Sequence, residues 1–165
     1  MTRGAGIACA LALAACAREV PAPAAGGAAV PSSFTDSVRG TLLATGSEPG
    51  VTYVVVDAAG RATPLEGDRA LLRRLSGLEV AVHGTRAAHA FQAADLSVRA
   101  AEGVPATDGV LAREDGRDVL VLRDGSRRTV ARLPAALRGR TGARVWLAGP
   151  LDGDIDSFGV IADGR

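Results

Sequence analysis

The sequence predicts a mainly β protein built twice over, behind an N-terminal leader. Three observations predict it. Runs rich in Val and Leu, such as 51–57 and 118–124, are bounded by Gly and Asp turns, as strands are. Landmarks recur at a steady offset: 69 residues separate Gly40 from Gly109, 67 separate Asp57 from Asp124 and Phe91 from Phe158, and 65 separate Gly84 from Gly149. A fixed offset is the mark of internal duplication. Only two short stretches, 68–75 and 134–138, have a helical pattern.

The leader comes first in the chain. Met1-Thr2-Arg3 is a short positive end, and residues 4–15 are an apolar run closed by Cys16. That length suits a signal peptide core, whereas a spanning helix needs roughly 20 apolar residues. Residues 17–36 are mostly Pro, Ala, Gly and Ser, with little to bury, and read as a flexible tether.

Each copy then reads strand, strand, strand, short helix, strand, strand. The first copy is placed at 37–100 and the second at 107–165. Residues 101–106, with Pro105 behind an Ala-Glu-Gly run, are read as a short linker. In the run 51–56, Val51, Tyr53 and Val55 share one face while Thr52, Val54 and Val56 share the other. Apolar residues on both faces suit a strand buried from two sides. Asp68 is a candidate cap for the first helix, and Leu71, Leu72 and Leu75 form its apolar stripe.

Composition excludes several functions. Cys9 leaves with the leader and Cys16 closes it, so no other thiol remains for a disulfide, a zinc site or a nucleophile. All 19 basic residues are arginine, and without Arg3 the remaining 18 face 18 acids. A balanced chain is not steered towards polyanions. Arg127, Arg128, Arg138, Arg140 and Arg144 form a small basic set in the second copy, offset by Asp124 and the acids near the C-terminus. Single-stranded nucleic acid would need aromatic platforms along a basic groove. Tyr53, Phe91, Trp146 and Phe158 all sit in strand patterns, where core packing is the expected use. Nucleic acid is therefore not an expected partner.

No catalytic set emerges. His83 and His89 flank one turn without a third ligand, and catalytic zinc takes three. Glu66 with Asp68, and Glu114 with Asp115, flank turns where acids are solvated. No metal, no cofactor and no enzymatic activity is expected. Asp152, Asp154 and Asp156 alternate like the start of a calcium loop, but Ser157 stands at its sixth position where Gly is required, and Asp163 at its twelfth where Glu is usual. The plainer reading is a hairpin turn at Asp152-Gly153. If the chain binds a small ligand, the expected residues are Tyr53, Trp146, Asp152, Asp154 and Asp156.

Two resemblances follow from these residues. Leu13-Ala14-Ala15-Cys16 resembles the lipobox of bacterial lipoproteins. That resemblance implies cleavage before Cys16, a diacylglycerol on its thiol, and membrane anchoring through lipid chains worth about 0.8 kcal/mol per buried methylene. Ala17 rather than aspartate implies sorting to the periplasmic face of the outer membrane. Second, five strands with a helix between the third and fourth resemble the OB-fold, as do the Gly-bounded fourth strand and the Asp-Gly-Asp turn before the last. This implies two tandem OB-like five-stranded barrels, each with a short helix; the alternative is one sandwich made of both halves. Together they imply a lipid-anchored envelope binding or assembly module with an envelope protein as partner. The alternative is a lipoprotein that holds a small molecule, oligosaccharide or cation.

Overall fold

The computed structural model describes residues 36–47 and 49–164. The leader, Cys16 and the tether up to residue 35 lie outside them. Asp36, placed at the end of the tether, already belongs to the first strand. The protein is mainly β.

The first half comprises β1 (Asp36–Thr45), β2 (Thr52–Val56), β3 (Ala62–Glu66), helix α1 (Arg69–Leu75), β4 (Glu79–Arg86) and β5 (Phe91–Ala101). β1 pairs with β2, and β2 with β3, all antiparallel. β3 pairs parallel with β5 at Leu65–Phe91 and Glu66–Gln92. β5 pairs with β4 and β4 returns to β1, both antiparallel. The circuit of pairing is complete. Inside it Leu42, Val55, Val80, Val82, Phe91 and Val98 are buried. Asp68 caps α1, accepting from the Ala70 and Leu71 amides at 2.9 and 3.1 Å, which satisfies two of the helix's unpaired donors. Leu72 and Leu75 turn into the same core.

The second half comprises β6 (Val104–Glu114), β7 (Arg117–Val121), β8 (Arg127–Thr129), a 3-10 turn (Ala135–Leu137), β9 (Arg144–Ala148) and β10 (Ser157–Ala162). β6 pairs with β7 and β9, β7 with β8, and β9 with β10. β8 and β10 are not paired with each other; the Ala131 amide instead donates to the Leu151 carbonyl at 2.8 Å. Leu111, Leu120, Val130, Leu137, Val145 and Leu147 form a second core.

The first strand of each half changes partner halfway. β1 faces β4 over residues 36–41 and β2 over 41–45. β6 faces β9 over 106–110 and β7 over 110–114. A glycine sits at each changeover. A Cβ at Gly40 would stand 2.1 Å from the Val56 carbonyl oxygen, and one at Gly109 2.6 Å from that of Val121. The hydrogen bonds beside them recur too: Gly77 to Leu42 and Gly142 to Leu111, both at 2.7 Å. Gly40→Ala and Gly109→Ala must move backbone, so each is expected to cost about 1–3 kcal/mol in urea unfolding. Gly50→Ala, whose Cβ would come to 3.5 Å from the Ser47 oxygen, is expected to stay within about 0.5 kcal/mol. Equal effects at all three would refute the steric account.

The turn after each second strand is fixed by an aspartate. Asp57 accepts from the Ala59 and Arg61 amides, and the Arg61 amide and guanidinium hold its carboxyl below the ordinary range. Asp124 accepts from Ser126, whose hydroxyl and amide lower its pKa likewise.

The stretch 101–106 departs from the linker expected there. Ala101 ends β5, Val104 begins β6, and these two residues pair across a two-residue turn. Glu102 and Gly103 take φ of 52° and 81°, the left-handed pair whose twist matches antiparallel strands. Pro105 lacks a donor but its carbonyl is used, accepting from the Gly149 amide at 3.1 Å. The described residues of both halves fall within one compact unit.

Candidate binding groove at the junction of the halves

Two features lock the halves together. Trp146 leaves β9 and buries its side chain, 8 % exposed, in the first half's core, with Ala148 and Ile161. Gly159, opposite it on β10, makes the room: a Cβ there would meet the indole nitrogen at 2.6 Å. Beside it Arg144 clamps both halves. Its guanidinium donates to the Asp95 carboxylate at 2.9 Å, the Leu96 carbonyl at 2.6 Å and the Asp108 carboxylate at 2.8 Å. Asp108 also accepts from the Val98 amide at 3.3 Å. Arg123 pairs with the other oxygen of Asp95.

A groove of about 470 Å³ opens over this clamp. Its walls include His83, Ser97, Arg99, Thr107, Arg123 and Arg128, with Asp108 and Asp124. Most of its polar groups already have partners. The Ser97 hydroxyl donates to the Ala81 carbonyl at 3.3 Å, Asp108 is held by Arg144, and Asp124 is held in its own turn. Burial, with the neighbouring Arg144 charge, lowers the Arg123 pKa. Arg99 is exposed and has no ion pair among the described residues. A second recess, of about 440 Å³, shares Thr107 and Arg128 and runs past Arg127, Thr129 and Asp152. Guanidinium forks and hydroxyls of this kind suit carbonyl and carboxylate groups.

The structure does not gather the ligand residues expected from sequence. Tyr53 and Trp146 both belong to the first core. Tyr53, 3 % exposed, borders a recess of about 370 Å³ with Glu66 and Arg69. The Arg69 guanidinium lies 5.7 Å from its ring centroid. Asp152, Asp154 and Asp156 are far more open. Leu151 and Ile155 pack on the second core, so the alternation turns all three acids outward. Asp154 pairs with Arg132 at 2.6 Å, and Asp152 borders the second recess. Among the described residues no three His, Cys, Asp or Glu side chains converge as a metal site would require. Phe158, expected in the core, is 38 % exposed; on β10 it lies opposite Leu147, and among the described residues that strand pairs on one side only, with β9. His83 borders the groove while His89 lies exposed in the turn after β4.

Ser97, Arg99, Thr107, Asp108 and Arg123 escaped the sequence reading. The available signal was Asp95, Asp108 and Arg144 inside otherwise apolar strand runs, since charges there are rarely left unpaired. Comparison with family models, curated proteins and solved structures finds no match to this chain.

Proposed function

We propose that this chain is a lipid-anchored binding module of the cell envelope, without catalytic activity, which presents two small OB-like barrels to an envelope protein. On this reading residues 1–15 direct export, Cys16 carries the lipid, and the segment after it sets the folded part off the membrane. Ala17 favours the periplasmic face of the outer membrane. The strand order β1-β2-β3-β5-β4 with its return to β1, and α1 between the third and fourth strands, supports an OB-like first half. The second half repeats that order but stays open between β8 and β10.

The observation that carries the proposal is the groove at the junction. Its walls come from both halves, its frame is fixed by Trp146 and Arg144, and Arg99 stands in it without a carboxylate partner among the described residues. A docking surface needs such preorganisation. Crosslinking in intact cells, with mass spectrometry of the captured proteins, tests it. The lipidated chain is expected to capture one envelope protein, Cys16→Ala to lose it, and Arg99→Glu with Arg128→Glu to weaken capture about tenfold. Capture of the same bulk lipoproteins by all three chains would refute the proposal.

The second reading, a lipoprotein that holds an oligosaccharide or other small ligand, is favoured by the Tyr53 recess. Tyr53 is nearly buried there beside Glu66 and Arg69, a small set of polar groups in an apolar wall. A glycan-induced thermal shift that Tyr53→Phe abolishes would carry it. No shift across a broad panel sinks it.

A further inference from the structure

At the end of the second half a recess of about 470 Å³ is bordered by Arg113, Asp118, Arg132 and Arg138. Three arginines and one aspartate thus border it. The sequence sets each of them locally. Arg113 is exposed near the end of β6, two residues beyond the buried Leu111, Arg132 follows β8, and Arg138 ends the 3-10 turn whose Leu137 anchors the core. Asp118 is the second residue of β7 and stands directly opposite Arg113 in the β6–β7 register.

The existing partners do not use up these donors. Among the described residues Arg113 donates only to the Gly116 carbonyl, at 3.3 Å. Arg132 pairs with Asp154, which is itself 80 % exposed and so only loosely held. Arg138 has no hydrogen bond or ion pair from its side chain among the described residues. The neighbouring acid Glu114 points away and pairs with Arg127 at 2.9 Å. An arginine-lined recess of the first half, at Arg39, Arg61 and Arg86, differs in this respect: Asp57 holds Arg61 and Asp36 holds Arg86.

We infer that the Arg113–Arg132–Arg138 recess binds a phosphoryl group. The three arginines outnumber the one bordering carboxylate by two, and Asp154, which pairs with Arg132 from outside the border, leaves one positive charge in excess, enough to favour an anion. Guanidinium forks bind phosphate oxygens two at a time, so three of them around one recess suit a tetrahedral group better than a planar carboxylate. The phosphoryl group belongs either to a soluble phosphate ester or to a lipid headgroup. The site is separate from the junction groove, so either can fail without the other.

The test uses the purified full-length protein with inorganic phosphate, followed by NMR at the amides of residues 131–133 and 138–139. Binding also is measured on phosphatidate-containing vesicles against phosphatidylcholine vesicles. The expected result is saturable shifts with phosphate, weakened at least tenfold by Arg113→Ala with Arg138→Ala. Arg39→Ala is expected to leave them unchanged. These side chains are exposed, so the variants are expected to fold, and their unfolding temperature confirms it. Shifts with phosphate alone assign a soluble ester. A phosphatidate preference that is lost in the double variant assigns a headgroup. No arginine-dependent binding in either arm, or an equal loss in Arg39→Ala, overturns the inference.

Discussion

Trp146→Ala is expected to cost about 3–5 kcal/mol, the usual toll for deleting a buried aromatic side chain, and to lower Tm by on the order of 10 °C. Two consequences of its position add to that. The indole comes from the second half but is buried among residues of the first, so its removal loosens the junction as well as the core. It is also the only tryptophan in the chain, so its fluorescence reports on that junction during unfolding. Gly159 provides an internal check. Gly159→Ala is expected to destabilise the parent by about 1–3 kcal/mol, because its Cβ would press on the indole. In a Trp146→Ala background the same change should cost much less, a positive coupling between contacting sites. If the two changes add, the indole is not held against Gly159 and the packing account is wrong.

How much of this was legible beforehand follows from periodicity. Alternating apolar residues such as Tyr53 and Val55 mark a buried face in any topology, and both are in the core. The Gly40–Gly109 correspondence was visible because each needs the absence of a side chain, which only glycine supplies. The 101–106 stretch was harder. Proline and small residues resemble a linker, yet Glu102-Gly103 makes a tight turn whose left-handed geometry does not declare itself when the first residue is Glu. The dispersal of the expected ligand residues has a different cause. Chemical type singles out Tyr53, Trp146 and the three aspartates, but what brings side chains together is strand register. Register turned Trp146 onto Gly159 and placed Asp108 beside it on the other flank of β9. No local pattern discloses that Asp95 and Asp108, thirteen residues apart, share one arginine a further 36 residues along.

That arginine yields the second large effect. Arg144 is 25 % exposed and its acceptors Asp95 and Asp108 are 19 % and 11 % exposed. Removing one member of a buried ion pair costs about 3–5 kcal/mol, since a charge is left without its partner. Partial exposure lowers the expectation for Arg144→Ala to about 2–3 kcal/mol. Asp95 keeps Arg123, whereas Asp108 keeps only the Val98 amide. Asp108→Asn should therefore recover part of the loss in the Arg144→Ala background, and Asp95→Asn should recover less. Arg144→Lys should fall between, because one ammonium on a flexible stem cannot span three acceptors in a fixed fork. Because the group is mostly shielded, raising the salt should change these differences little. An Arg144→Ala cost below about 0.5 kcal/mol, as at an unconstrained surface site, would refute the clamp. The clamp also bears on the groove, because Asp108 and Arg123 line it while Arg144 does not. Arg144→Ala should therefore reduce capture of the proposed envelope partner without deleting any residue that lines the groove, and Arg144→Lys should restore part of both stability and capture. If capture instead survives while stability falls, the two halves bind independently and the fixed junction has no part in recognition.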